Sequence, residues 1–200
     1  MQAHFRTTNI RPENAKLVYS LNFTTNKTVA WALNGASLPL FFLFGGLFLA
    51  YVLRIRPGIG KALLSILDTD WVYLIVMIVI FVACIVVHEL IHGAFFWAFT
   101  RSRPVFGLRS WYAFAGAPGW FLTGRQYLLT TLAPFGILSL LGMLLMTILP
   151  VPLAAVVLVV TTLNAASSAG DLWVAFRLVN QARPVIAEDL GDGVNFYVLN

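Results

Sequence analysis

The chain has 200 residues, 60% of them hydrophobic and 10% charged, with a formal net charge of +5. Soluble domains average about 45–50% apolar and about 25% charged, so an ordinary water-soluble domain is excluded and a membrane protein is expected. The 13 basic residues form no dense patch and lie mainly between apolar runs, which argues against a nucleic-acid reader, and the single Cys84 excludes an internal disulfide framework.

Residues 1–30 are polar and carry Arg6, Arg11, Lys16 and Lys27, with a β-prone stretch, KLVYSLNF, that can pair with the C-terminal tail or with a hairpin further on. Four apolar runs follow, at about 31–53, 71–100, 127–149 and 152–179, each near or above the roughly 20 residues a helix needs to cross a bilayer. Arg54, Arg56 and Pro57 stop the first, and Pro150 and Pro152 leave only a tight turn between the last two. Between the second and third runs lies an aromatic loop punctuated by glycines, with β-prone pieces at Val105–Leu108 and Trp111–Ala115. The expected fold is therefore an all-α polytopic membrane protein. It has about four transmembrane helices and a small β-hairpin or re-entrant strand region between helices 2 and 3. The domain plan is a cytoplasmic N-terminal segment (1–30), a four-helix membrane domain (31–180) and a cytoplasmic C-terminal tail (181–200). That tail reads as soluble, with Glu188, Asp189 and Asp192 in a solvated acidic turn.

Four spans put both termini and the 101–125 loop on one side, together with Arg6, Arg11, Lys16, Lys27, Arg101, Arg103, Arg109, Arg125, Arg177 and Arg183. Only Arg54, Arg56 and Lys61 fall on the other, beside Asp68 and Asp70. The positive-inside rule makes the first side cytoplasmic, and a prokaryotic plasma membrane fits best.

The second run contains HELIH, residues 88–92. On a helix, His88 and His92 share one face one turn apart, where both imidazoles reach a single ion, and Glu89 is close enough to polarise a metal-bound water without ligating the ion. The competing reading, two packed intramembrane histidines, must also explain an adjacent glutamate. A charged side chain at mid-membrane costs about 2.5–3.5 kcal/mol on insertion scales. Zinc is thus the expected cofactor, and other divalent ions bind such sites too.

A third ligand is needed. Asp171 is the only carboxylate besides Glu89 inside an expected span, and it lies about eight residues, or about 12 Å, before the end of its run, as His92 does. The alternative for Asp171 is pairing with Arg177 or a serine. Small residues from Ala165 to Gly170 would allow close helix approach. Asn164 and Ser168 are candidates for substrate binding or for supporting the ligands, and Asn164 serves equally as interhelical glue. Cys84, four residues before His88, reads as a small buried residue.

HELIHG in an apolar helix, Gly124-Arg125-Gln126-Tyr127, Ala133-Pro134, and Asn164…Ser168…Gly170-Asp171 together resemble the family of putative zincin peptidases, small membrane proteins related to the site-2 proteases. The resemblance covers roughly residues 70–180. It implies zinc held by His88, His92 and Asp171, Glu89 as catalytic base, and an edge strand in the 101–120 loop that presents substrate. Where site-2 proteases place glycine after the aspartate, this chain has Gly170 before it and Leu172 after. The expected activity is zinc-dependent intramembrane peptide hydrolysis near the cytoplasmic face. The expected partners are a membrane protein or peptide substrate and the bilayer, with no nucleic acid and with homo-oligomers allowed. The alternatives are a zinc hydrolase acting on a lipid or lipidated substrate, and a non-proteolytic metal-binding or regulatory membrane protein.

Overall fold

The computed structural model describes residues 6–22, 25–67, 71–109 and 112–199. Asp68, Asp70 and Trp111, used above, lie outside them. Three helices, α1 (Lys27–Ile55), α3 (Trp71–Thr100) and α4 (Gly124–Ile148), are long and apolar enough to cross a membrane. α4, the shortest at 25 residues, runs about 37 Å against about 30 Å of hydrocarbon. Along α3 the large apolar side chains Ile75, Ile78, Val79, Val82, Val86 and Leu90 stand exposed, a continuous face suited to lipid rather than water.

The fourth apolar run is not one straight span. It forms α5 (Val151–Ser167) and α6 (Ala169–Val179), bent by 46° about Ser168. Ser168 sits at φ −71°, ψ 13°, and both its N–H and its hydroxyl donate to the Asn164 carbonyl, at 3.1 and 2.9 Å. One carbonyl thus takes two donors from a residue in the bridge region, which closes α5 and lets α6 leave in a new direction.

The chain is mostly helical, with more β-structure than the expected hairpin. β1 (Ala15–Asn22), β4 (Phe121–Thr123), β5 (Val185–Asp189) and β6 (Gly193–Leu199) form one antiparallel sheet in the order β1-β6-β5-β4. The KLVYSLNF stretch pairs with the tail, Ala15 opposite Leu199 through Asn22 opposite Gly193. β2 (Val105–Arg109) and β3 (Tyr112–Gly116) form a separate antiparallel pair. Hydropathy hides the sheet because its strands are short and their partners lie more than 60 residues apart in sequence, except β5 with β6. The outer edge of β4 is already occupied. Thr8 and Phe121 exchange backbone hydrogen bonds of 3.1 and 2.8 Å, and the Thr123 N–H donates to Gln126 Oε1 at 3.0 Å.

The chain divides into two compact units. One contains the segments up to Ala32, Glu89–Pro134 and the chain from Gly170 onward. Its core joins Phe96, Leu122, Tyr127, Val174, Leu178, Ala187 and Phe196. The other contains Leu33–His88 and Phe135–Ala169, including α2 (Ile59–Leu67), and its described elements are all helices. Its core joins Phe48, Val52, Ile59, Met146, Ala155 and Leu158. There Gly142 lies so close to Thr161 that a Cβ would collide with its side chain. The Arg56 guanidinium donates to the carbonyls of Thr147 and Leu149, at 2.6 and 2.9 Å, which satisfies the C-terminal end of α4.

Asp189 departs furthest from the sequence reading. It is 2% exposed instead of solvated. Its Oδ1 accepts from the N–H groups of Ala117 and Gly191, at 2.8 and 2.9 Å, and its Oδ2 accepts from the Tyr127 hydroxyl at 3.1 Å. The carboxylate therefore ties the end of β3, the β5–β6 turn and the first turn of α4 together. Burial pushes it up to about 6, against the pull of those three donors. An aspartate held above 3.8 loses its proton earlier in the unfolded chain than in the folded one. Between about pH 4 and about pH 6 the folded state then binds more protons, so stability falls as pH rises through that window, by roughly 3 kcal/mol in all. Unfolding midpoints measured across this range in detergent should show the decline in wild type, and Asp189→Asn should flatten it. Equal slopes in both proteins would contradict the assignment.

Candidate metal centre

Helix α3 is apolar on every side, so hydrophobic periodicity does not orient it, but burial does. His88, His92, Phe96 and Thr100 recur at intervals of four and are all buried, whereas Leu90 and Trp97 between them, and Val86 and Val87 just before, are exposed. Residues four apart share a helix face, so both histidines lie on the buried stripe of the helix.

Each imidazole is anchored through Nδ1. His92 Nδ1 lies 2.9 Å from the Thr130 carbonyl oxygen on α4. A carbonyl only accepts, so Nδ1 carries the proton. The other nitrogen, Nε2, lies 3.4 Å from Asp171 Oδ1, in the first turn of α6. His88 Nδ1 lies 3.0 Å from Asn164 Oδ1 on α5, which likewise leaves Nε2 of His88 without the proton. One ligand atom from each of His88, His92 and Asp171 falls within 4.8 Å of the others.

The donor set fits a metal ion. A neutral His92 with its proton on Nδ1 turns a lone pair toward a carboxylate oxygen, and two lone pairs at that distance repel unless a proton or a cation lies between them. Zinc bonds of about 2.0–2.2 Å at tetrahedral angles put ligand atoms roughly 3.3–3.6 Å apart, the range of the observed His92–Asp171 separation. Histidines whose second nitrogen donates to a carbonyl or amide oxygen have the orientation metal ligands need.

The remaining residues singled out in the sequence divide clearly. Glu89, next to His88 on α3, is partly buried. Asn164 is 2% exposed; its oxygen faces His88, and its Nδ2 is buried without a hydrogen-bond partner. The Ser168 hydroxyl is taken up by the Asn164 carbonyl, so Ser168 shapes the α5–α6 bend. The Arg177 guanidinium stacks on Tyr19, 4.5 Å from the ring centre, and on Trp173 at 5.9 Å. Cys84 is half-buried and outside the three-residue group.

Two neighbours escaped the sequence reading. Thr130 contributes a backbone oxygen, which no side-chain pattern marks. Phe106 of β2 packs on Gly93, the residue after His92. A Cβ there would come within 2.5 Å of the Phe106 ring and 3.4 Å of Pro104, so glycine is what admits the strand at this point of α3.

Comparison with curated proteins and with solved structures gives no match. A family described as "putative zincin peptidase" matches residues 80–185, more than half of the chain and a stretch that contains His88, Glu89, His92, Asn164 and Asp171. The apolar helices and the grouping of His88, His92 and Asp171 fit a membrane metallopeptidase, and the chain belongs to the putative zincin peptidase family.

Proposed function

We propose that this protein is a zinc-dependent intramembrane peptidase of site-2 protease type, with zinc held by His88, His92 and Asp171 and with Glu89 as general base. The observation that carries the reading is the approach of His92 Nε2 to Asp171 Oδ1 at 3.4 Å, with His88 one helical turn away. When bound, zinc acidifies a water molecule toward neutrality and polarises the scissile carbonyl. Glu89 takes the proton of the attacking water and passes it to the leaving amine. The buried Nδ2 of Asn164 is a donor for a substrate carbonyl.

A transmembrane substrate must unwind before its carbonyls can be attacked, and pairing with an edge strand holds it extended. The hairpin is the better candidate for that edge. The outer edge of β4 is occupied by Thr8 and Gln126, while β2 exposes Val105, Phe106 and Leu108 and touches α3 beside His92.

The sheet also bears on topology. β1 comes from the N-terminal segment, β4 from the loop before α4, and β5 and β6 from the tail, so their pairing favours one side of the membrane for all three. Ten of the 13 basic residues belong to these segments or the helix ends beside them. This side is cytoplasmic by the positive-inside rule, in a prokaryotic plasma membrane, and the substrate is a membrane protein or peptide cut near that face.

The test uses protein reconstituted in liposomes with a panel of single-span reporter peptides. Wild type should cleave at least one reporter, lose that activity to a chelator and regain it with zinc. Glu89→Gln should bind zinc as wild type does and cut the same reporter at least about 100-fold more slowly, as expected for loss of a general base. Cleavage by Glu89→Gln at the wild-type rate would overturn the mechanism.

A further inference from the structure

The carbonyl that anchors His92 belongs to the interior of a helix, where each carbonyl normally has an N–H of its own helix as its partner. In an unbroken α-helix the oxygen of one residue accepts from the N–H four residues on. For Thr130 that residue is Pro134, which has no N–H. The proline ring also crowds the carbonyl four residues before it and tips that oxygen away from the helix axis. Pro134 is fully buried within α4. A backbone oxygen stripped of its helical partner inside a membrane must find another donor, and His92 Nδ1 lies 2.9 Å from it.

We propose that Pro134 is a positioning residue of the metal centre. By deleting one helical hydrogen bond, it makes the Thr130 carbonyl a dedicated acceptor for His92 Nδ1–H. His92 then keeps its proton on Nδ1 and its Nε2 lone pair toward Asp171. With an N–H at position 134, the Thr130 oxygen turns back into the helix. His92 then gains from placing its proton on Nε2, where Asp171 accepts it at 3.4 Å. That arrangement blocks the nitrogen a metal needs. The inference rests on the zinc reading given above, and a control residue separates the two. Pro39 is a second mid-helix proline, in α1, a helix that contributes none of the three ligand residues.

The experiment compares zinc affinity, by chelator competition in detergent, for wild type, Pro134→Ala, Pro134→Val and Pro39→Ala. Alanine leaves space at position 134, whereas valine approximates the size of the ring; both supply the N–H. Both should weaken zinc binding roughly tenfold or more, the range found when a partner of a metal-bound histidine is removed. Pro39→Ala should leave it unchanged. In the zinc-loaded proteins, proton NMR of the imidazoles should show the His92 Nδ1–H shifted downfield by its hydrogen bond to Thr130 in wild type and moved upfield in both Pro134 variants. Wild-type affinity in either folded Pro134 variant, or equal losses in Pro39→Ala, would overturn the proposal while leaving the metal centre intact. If His88→Ala and Asp171→Ala also bind zinc like wild type, the metal reading falls, and this inference with it.

Discussion

His92 stands between two acceptors, a backbone carbonyl on one side of the ring and a carboxylate on the other. A neutral imidazole has one proton, so one of these contacts can be a hydrogen bond and the other needs a second proton or a metal cation. The surrounding elements serve this constraint. α3 supplies a buried stripe in an otherwise lipid-suited helix. α4 supplies the acceptor, and the bend at Ser168 starts α6 two residues before the carboxylate that faces Nε2. Burial then strengthens both contacts, because little water competes for either nitrogen.

The chain solves a second problem with its sheet. A loop with aromatic and glycine residues between two apolar helices would carry bare backbone groups to the membrane boundary, where unpaired N–H and C=O groups are costly. Pairing β4 with the tail, and the tail with the N-terminal segment, gives those groups partners. Asp189 fastens the arrangement to Tyr127, one turn before the Thr130 that anchors His92. Tyr127 in turn packs edge-on against Phe96, one turn after His92 on α3. The sheet thus shares a packed core with the helix segments that carry His92 and Asp171.

Much of this was legible in the sequence, for identifiable reasons. Helices that cross a membrane must be long and apolar, which made α1, α3 and α4 visible from hydropathy alone. Two histidines four apart read directly as a shared helix face, and scarcity of carboxylates pointed to Asp171, which lies within reach of both. The sheet was far less visible, because short strands paired across the length of the chain leave no local pattern. Asp189 was misread for the same reason: its surroundings are N–H groups and a hydroxyl brought from distant segments. The α5–α6 bend has no proline to announce it and arises from one serine using two donors on one carbonyl. Thr130 has a signal that side-chain patterns miss, the proline four residues further on.

The measurement that bears most directly on this account is zinc content. Wild type, His92→Ala and Asp171→Ala would be purified in mild detergent without added metal and examined by mass spectrometry, with folding checked by circular dichroism. The account predicts about one zinc per chain in wild type and near none in either variant. Wild type that stays free of metal after reconstitution with zinc, or zinc retained in both variants, would contradict it.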